Sequence, residues 1–219
     1  MARYTGPVCR LCRRESMKLY LKGERCYKES CCLEAKSDGN KKNHQKAYAP
    51  GQHGSTPRKI SDYGVQLREK QKAKRIYGVL EAQFRRCFEK ANSAHGITGE
   101  ILLQLLERRL DNAVYRAGFA SSRRQARQTV RHNHILVNGK KVNIPSFLVK
   151  PGDILSVKEE SRKIPGIQQS FETSEGRGVL SEWLAVNKQS FSAEMLRLPE
   201  RNDIKYEIQE SLIVELYSK

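Results

Sequence analysis

The chain has no apolar run approaching the roughly 18 residues that a membrane span requires. Its most apolar stretches, Ile101–Leu106 and Leu212–Leu216, are short and interrupted. The start carries Arg3, Arg10, Arg13 and Arg14 and no apolar signal region, so neither secretion nor membrane insertion is expected. Acidic residues are scarce: 24 Asp and Glu stand against 41 Lys and Arg in 219 residues, a formal net charge of +17. Hydrophobic residues at 38% remain ample for a buried core in one or two domains.

The positive excess is spread along the chain. Residues 1–54 hold 12 basic and 5 acidic side chains, residues 55–110 hold 12 and 6, and residues 111–165 hold 11 and 4. Only residues 166–219, with 6 basic and 9 acidic side chains, are mildly acidic. A solvated surface normally mixes signs, so sustained excess over three quarters of the chain calls for a polyanionic partner. An anionic membrane and acidic proteins are candidates. Nucleic acid is favoured because the charge lies over folded-looking segments rather than in one amphipathic helix or tail.

Five of the six cysteines fall early, as Cys9-x2-Cys12 and, thirteen residues on, Cys26-x4-Cys31 followed by Cys32. Two short-spaced pairs separated by such a loop allow four thiolates to converge tetrahedrally on Zn²⁺. Cys9, Cys12, Cys26 and Cys31 are the expected ligands of one structural zinc, with Cys32 able to replace Cys31. Disulfides would not persist in a reducing compartment. An iron–sulfur cluster fits the same spacing. The sixth thiol, Cys87, sits on a helical apolar stripe and reads as a packed residue.

Lys36–Lys46 is polar and reads as a solvated loop, and Tyr48–Gly54 as a turn whose amides, Gln52 and His53 can approach a phosphate. A helix capped by Ser61 or Asp62 is expected to run to Gly78, with Leu67, Gln71, Ile76 and Tyr77 on one side. A second carries Leu80, Phe84, Cys87, Phe88 and Ala91. Thr98 is expected to cap a third, in which Leu102, Leu106, Leu110, Val114 and Ala117 form one stripe ended by Gly118. Ser122–Gln125 has the pattern of a capping box. It opens a helix on which Arg123, Arg127 and Arg131 share a face, with Arg124 at its edge. Such a cluster repels itself unless phosphates neutralise it.

The period then changes to strands: Ile135–Val137 and Lys140–Val142 around Asn138-Gly139, then Phe147–Val149 and Ile154–Val157 around Pro151-Gly152. The expected architecture is α+β and mainly helical. Residues 1–46 form a zinc-binding knuckle and basic loop, 47–97 a helical domain, and 98–165 an inserted helix–turn–helix with a small β-sheet. Residues 166–219 are rich enough in apolar side chains to pack on something rather than trail free.

The stretch from Glu107 through Arg127 to His134–Gly139 resembles the RNA-binding domain named after ribosomal protein S-four. Cys9–Cys12, Tyr48–Gly54, Ser61–Tyr63, Leu67–Gln71 and Leu212–Tyr217 extend the resemblance over nearly the whole chain, to the bacterial S-four ribosomal protein family in its zinc-binding form. The departures are the Lys36–Lys46 insertion and Cys32. The resemblance implies a cytoplasmic structural protein of the small ribosomal subunit, bacterial or organellar, with a discontinuous first domain on which residues 166–219 pack back. Such a protein binds small-subunit ribosomal RNA, nucleates assembly of the subunit body and influences decoding accuracy beside ribosomal protein S-five. Other small-subunit proteins and the chain's own messenger RNA are further implied partners. The candidate RNA-contacting residues are Arg3, Arg10, Arg13, Arg14, Lys22, Gln52, His53, Arg58, Lys59, Arg68, Lys70, Lys72, Lys74, Arg75, Arg116, Arg123, Arg124, Arg127, Arg131, Asn138, Lys140 and Lys141.

Two other readings use the same residues. Arg109-Leu110-Asp111 superficially resembles a pseudouridine-synthase motif, but Leu110 belongs to the apolar stripe and Asp111 is expected to pair. The 54-residue tail is too short for that catalytic domain, and no synthetase-type nucleotide motif is present, so no enzymatic activity is expected. A DNA-binding regulator would use the helix–turn–helix, but no dimerisation segment is evident.

Overall fold

Capping and an apolar stripe define the first long helix. The Gly64 amide donates to the Ser61 hydroxyl at 3.2 Å, and Gly78 closes the other end in the left-handed region. The computed structural model describes residues 3–33, 48–56, 59–174, 176 and 180–218. Its helices are α1 (Cys9–Glu15), α2 (Asp62–Tyr77), α3 (Glu81–Asn92), α4 (Thr98–Glu107), α5 (Leu110–Arg116), α6 (Arg123–Arg131), α7 (Glu159–Arg162), α8 (Pro165–Glu172) and α9 (Glu210–Tyr217). The strands are β1 (Ile135–Val137), β2 (Lys140–Lys141), β3 (Ile154–Val157), β4 (Leu184–Asn187) and β5 (Ser192–Met195). Residues 1–84 with 208–219 form one unit, and residues 85–207 a second.

In the first unit α9 packs along α2. Gln66 donates to Glu215 at 2.9 Å, and the Gln209 amide donates to Glu69 at 3.1 Å. Ala73, Ile76, Tyr77, Phe84 and Ile213 are buried there. The buried face of α2 therefore includes Gln66 and Glu69, whereas Leu67 and Gln71 of the expected stripe are only half-buried. Polar residues occupy the buried positions because the C-terminal segment supplies their partners.

The second unit is built on a five-stranded antiparallel sheet in the order β2-β1-β3-β5-β4. Asn138 and Gly139, with φ of 50° and 75°, make the expected two-residue turn between β1 and β2. The core joins α5, α6 and α8 to this sheet through Leu110, Val130, Ile135, Leu155, Phe171 and fully buried Trp183. Covering one face of an antiparallel sheet with helices gives the α+β class.

Several expectations need correction. The helix expected from Thr98 to Gly118 is broken at Arg108–Arg109, although Leu102, Leu106, Leu110, Val114 and Ala117 are all buried. Arg109 is extended, and the break is held by Phe147–Val149, expected to be a sheet strand. The Leu110 amide donates to Phe147 O at 2.8 Å, and the Val149 amide to Arg108 O at 2.9 Å. Ile97, not Thr98, occupies the cap position of α4, without a side-chain bond. The expected partner of Ile154–Val157 across Pro151-Gly152 is replaced by β5 and β1. The C-terminal segment also divides: residues 208–219 lie in the first unit, while β4 and β5 complete the sheet of the second.

Gly118 tests the packing after α5. Its φ is +82°, and an added Cβ would stand 2.7 Å from Cβ and Oγ of buried Ser174. Gly118→Ala is expected to destabilise the second unit by about 1–3 kcal/mol. Urea unfolding followed by Trp183 fluorescence checks this; an unchanged midpoint would contradict it.

Candidate nucleic-acid interface

The helix break at Arg108–Arg109 concentrates charge inside the second unit. Glu107 is fully buried and faces Arg116, whose Nε and Nη2 donate to its carboxylate at 3.1 and 2.8 Å. Asn112 also donates to Glu107, and its Oδ1 accepts from Arg123 Nε at 2.7 Å. The Arg123 guanidinium lies over the Tyr115 ring, 4.6 Å from its centroid, and donates to Tyr206 Oη at 3.1 Å. A second cluster holds Asp111 between Arg109, at 2.9 and 3.1 Å, and Arg127, at 3.0 Å.

This geometry revises the sequence reading of α6. Arg116, Arg123 and Arg127 were expected at the RNA surface, but all three are buried: Arg116 pairs with Glu107, Arg127 shares Asp111 with Arg109, and Arg123 donates to Asn112 and Tyr206. Arg123 and Arg127 lie on the inward side of the helix, whereas Arg124 and Arg131 are exposed. Ser122 accepts from the Gln125 amide, as a capping box requires. The Gln125 side chain instead accepts from the Ser121 amide at 2.8 Å. Asn138, Lys140 and Lys141 are exposed at the β1–β2 turn, where Asn138 donates to Asp153 at 2.8 Å.

In the first unit the α2 cations are tethered. Arg68 and Arg75 both pair with Glu15, whose side chain is nearly inaccessible. Lys72 pairs with Glu69, and Lys70 and Lys74 flank Glu81 at 2.8 and 2.9 Å. Burial alone would raise the Glu81 pKa, but Lys70, Lys74 and the Tyr217 hydroxyl outweigh it and hold the group at about 2. Arg13 donates to the carbonyl of Tyr48 at 3.0 Å and sits over that tyrosine's ring, tying the turn to α1. Arg3, Arg10, Arg14, Lys22, Gln52, His53 and Lys59 are exposed. Arg58 and the Lys36–Lys46 loop lie outside the described residues.

The early thiols share one neighbourhood, and none is in a disulfide. Cys12, Cys26 and Cys31 are buried, and Cys9 and Cys32 are half-buried. The Lys22 amide donates to Cys26 Sγ at 3.3 Å. Burial and the repulsion of Cys26, Cys9 and Cys31 push the Cys12 thiol up to about 11; burial, Cys9 and Cys12 push Cys32 up to about 12. Among the described residues, no group of three or more His, Cys, Asp or Glu side chains stands in metal-binding geometry. The donor chemistry fits zinc, while a closed tetrahedral arrangement is not formed. Cys87 is half-buried, and burial raises its pKa, consistent with a quiet thiol.

Glu107 gives the interior a pH dependence. Burial would raise its pKa, but Arg116 and then Arg123 and Asn112 reverse this and bring it to about 2. The stability it contributes is complete above the unfolded carboxyl value of 4.5 and is lost as pH falls towards 2. Glu107→Ala leaves buried guanidinium groups uncompensated and is expected to cost about 3–5 kcal/mol at neutral pH. Urea unfolding between pH 7 and pH 3 checks both statements. A variant as stable as the parent, or losing as much stability as the parent on acidification, would contradict them.

Residues 3–107 match the family described as "Ribosomal protein S4/S9 N-terminal domain", and residues 108–155 match "S4 domain". The chain is 58% identical over 219 residues to "Small ribosomal subunit protein uS4" of Thermoanaerobacter pseudethanolicus, with 100% of both chains covered. Proteins of the same name from Natranaerobius thermophilus and Thermodesulfovibrio yellowstonii are 58% identical over 220 residues and 56% over 219, again with full coverage of both chains. The break after Glu107, where the apolar stripe passes into the buried charge network, is thus also the junction between the two matched regions. With end-to-end identity at this level, the chain belongs to the uS4 family of small ribosomal subunit proteins, which are structural proteins and not enzymes.

Proposed function

We propose that this chain is a structural constituent of the small ribosomal subunit that binds folded ribosomal RNA. The observation that carries the reading is its end-to-end relationship to small-subunit proteins. Among the described residues no helix is long and apolar enough to cross a membrane. The binding surface is made of exposed groups: Arg3, Arg10, Arg14, Lys22 and Lys59 in the first unit, and Arg124, Arg131, Lys140 and Lys141 in the second. Arg116, Arg123 and Arg127 support the surface from inside. The tethered cations of α2 contribute field while their carboxylate partners fix their positions.

Folded RNA offers phosphates and 2′-hydroxyls in a fixed spatial pattern, which the cations fixed on each unit read by shape. Cations spread over both units suit a junction of several RNA helices. An RNA-bound chain would nucleate assembly of the subunit body. Neighbouring small-subunit proteins, ribosomal protein S-five among them, are the remaining partners, with influence on decoding accuracy through that contact. The chain's own messenger is a further RNA target of the same surface.

A structural zinc ion held by Cys9, Cys12, Cys26 and Cys31 belongs to the same reading. Support comes from the burial of three of these thiols and from the Lys22 amide directed at Cys26, a donor suited to a ligating thiolate. When bound, zinc would neutralise the thiolates and staple the basic segment, without taking part in chemistry.

Two measurements test these statements. Binding of the purified chain to a small-subunit RNA junction across a salt series, with duplex DNA as competitor, is expected to be RNA-selective and steeply salt-dependent. Arg124→Ala with Arg131→Ala should weaken binding several-fold and flatten the log–log slope by about 2. DNA preference or a shallow slope would overturn the reading. Elemental analysis should find about one zinc per chain, lost in Cys26→Ser and retained in Cys32→Ser. A metal-free chain, or iron in place of zinc, would overturn the zinc assignment.

A further inference from the structure

The short segment that leads from the first cysteine pair into the second carries an aromatic pair, Tyr20 and Tyr27, that phosphate binding does not use. The Tyr20 and Tyr27 rings lie 5.0 Å apart between centroids, with 34° between their planes. Tyr27 is 40% exposed. Tyr20 is half-buried and has a φ of 51°, in the left-handed region that bulky side chains rarely adopt. With the backbone turned there, the Tyr20 ring lies against the more exposed Tyr27 ring. The Gly23–Cys26 3-10 turn, closed by the Tyr27 amide donating to Glu24 O at 3.0 Å, sets the position of Tyr27. Fixing an aromatic ring in advance lowers the entropy lost when a ligand stacks on it.

The surroundings select the ligand. Lys22, Arg25 and Lys28, close to the pair in sequence, are exposed; Arg25 is aimed by its bond to Ser30 O at 3.3 Å, and Lys28 stands 3.8 Å from Glu24. Residues 18–28 carry Lys18, Lys22, Arg25 and Lys28 against the single carboxylate of Glu24. A flat π-surface on a segment rich in exposed cations fits a group that is itself planar and joined to phosphates. An unpaired nucleobase meets both conditions, whereas a base within a duplex hides its face in the stack.

We infer that Tyr27, backed by Tyr20, is a stacking platform for an unpaired base of the bound RNA. The inference rests on the RNA-binding reading and deepens it. The first unit holds one single-stranded nucleotide by its face in addition to holding helices by their phosphates. Stacking is tolerant of base identity, so the platform selects unpaired geometry rather than sequence.

The test uses the full-length chain with two RNAs: a small-subunit junction carrying 2-aminopurine at its unpaired positions, and a fully paired duplex. The parent should quench 2-aminopurine at one unpaired position, and Tyr27→Phe should preserve both affinity and quench. Tyr27→Ala should bind the junction about tenfold more weakly, with an unchanged salt slope and unchanged duplex binding. Tyr27→Leu, which keeps apolar bulk without a π-face, should lose the quench, and it decides the matter if the alanine variant folds poorly. Parent-level affinity and quench in Tyr27→Leu would overturn the inference and leave RNA binding intact. Equal losses on junction and duplex would also overturn it, because they indicate a structural role. If the parent binds neither RNA, the RNA-binding reading fails and the platform fails with it.

Discussion

A buried carboxylate with more than one cation around it organises the second unit. Glu107 ends α4, accepts from Arg116 and Asn112, and through Asn112 reaches Arg123 on α6. Two turns of chain and a helix are thereby locked before any RNA is present. Isolated burial of either charge would be prohibitive, so the pairs must form together. The break between α4 and α5 has a backbone cause beside this: in a continuous helix the Arg108 carbonyl and the Leu110 amide would bond within the helix and not to Val149 and Phe147. Asp111, one turn further on, repeats the arrangement with Arg109 and Arg127. The helix–turn–helix is thus held by ionic registry as well as by the apolar stripe.

The sequence made legible what depends on local order. The Ser61 cap, the Gly78 stop, the Asn138-Gly139 turn and the apolar stripe from Leu102 to Ala117 all act within a few residues. What was not legible depends on distant partners. Nothing local to Leu106–Leu110 announces a helix break, because its cause lies some forty residues away at Phe147–Val149. Similarly, β5 pairs with β3 although α7, α8 and β4 intervene. Burial of Gln66 and Glu69 on α2 could not be read from a period that counts only apolar residues, since their partners come from Gln209 and Glu215.

The arginines of α6 show why a cationic stripe is ambiguous. Spacing puts Arg123, Arg127 and Arg131 on one face, whereas the structure turns Arg123 and Arg127 inward and leaves Arg131 exposed with Arg124; spacing cannot distinguish a side facing acids from a side facing solvent. Buried Glu107 and Asp111 make the difference, and both were visible as acids in an otherwise basic stretch. An acid within a helix turn of buried positions is therefore the signal that could have reassigned Arg116, Arg123 and Arg127. Arg124, displaced to the edge, and Arg131, at the end, retain the exposure that contact with a phosphate requires.

This division has an electrostatic consequence. Cations paired with buried carboxylates are invariant in position and nearly indifferent to ionic strength, because the surrounding interior excludes counterions. Exposed cations carry a counterion atmosphere and exchange it for phosphate, which makes their share of binding strongly salt-dependent. Rigidity thus resides in one set of arginines and affinity in another, separated by little more than the thickness of a helix. The α2 cations fall between the two, since Glu15 is buried while Arg68 and Arg75 remain partly accessible. A carboxylate there orients each guanidinium but also lowers the local potential. The helix therefore gives up some attraction for phosphate in return for fixed geometry. For a partner recognised by the spatial pattern of its backbone, fixed geometry carries the greater weight, because a misplaced cation contributes little however strong its charge.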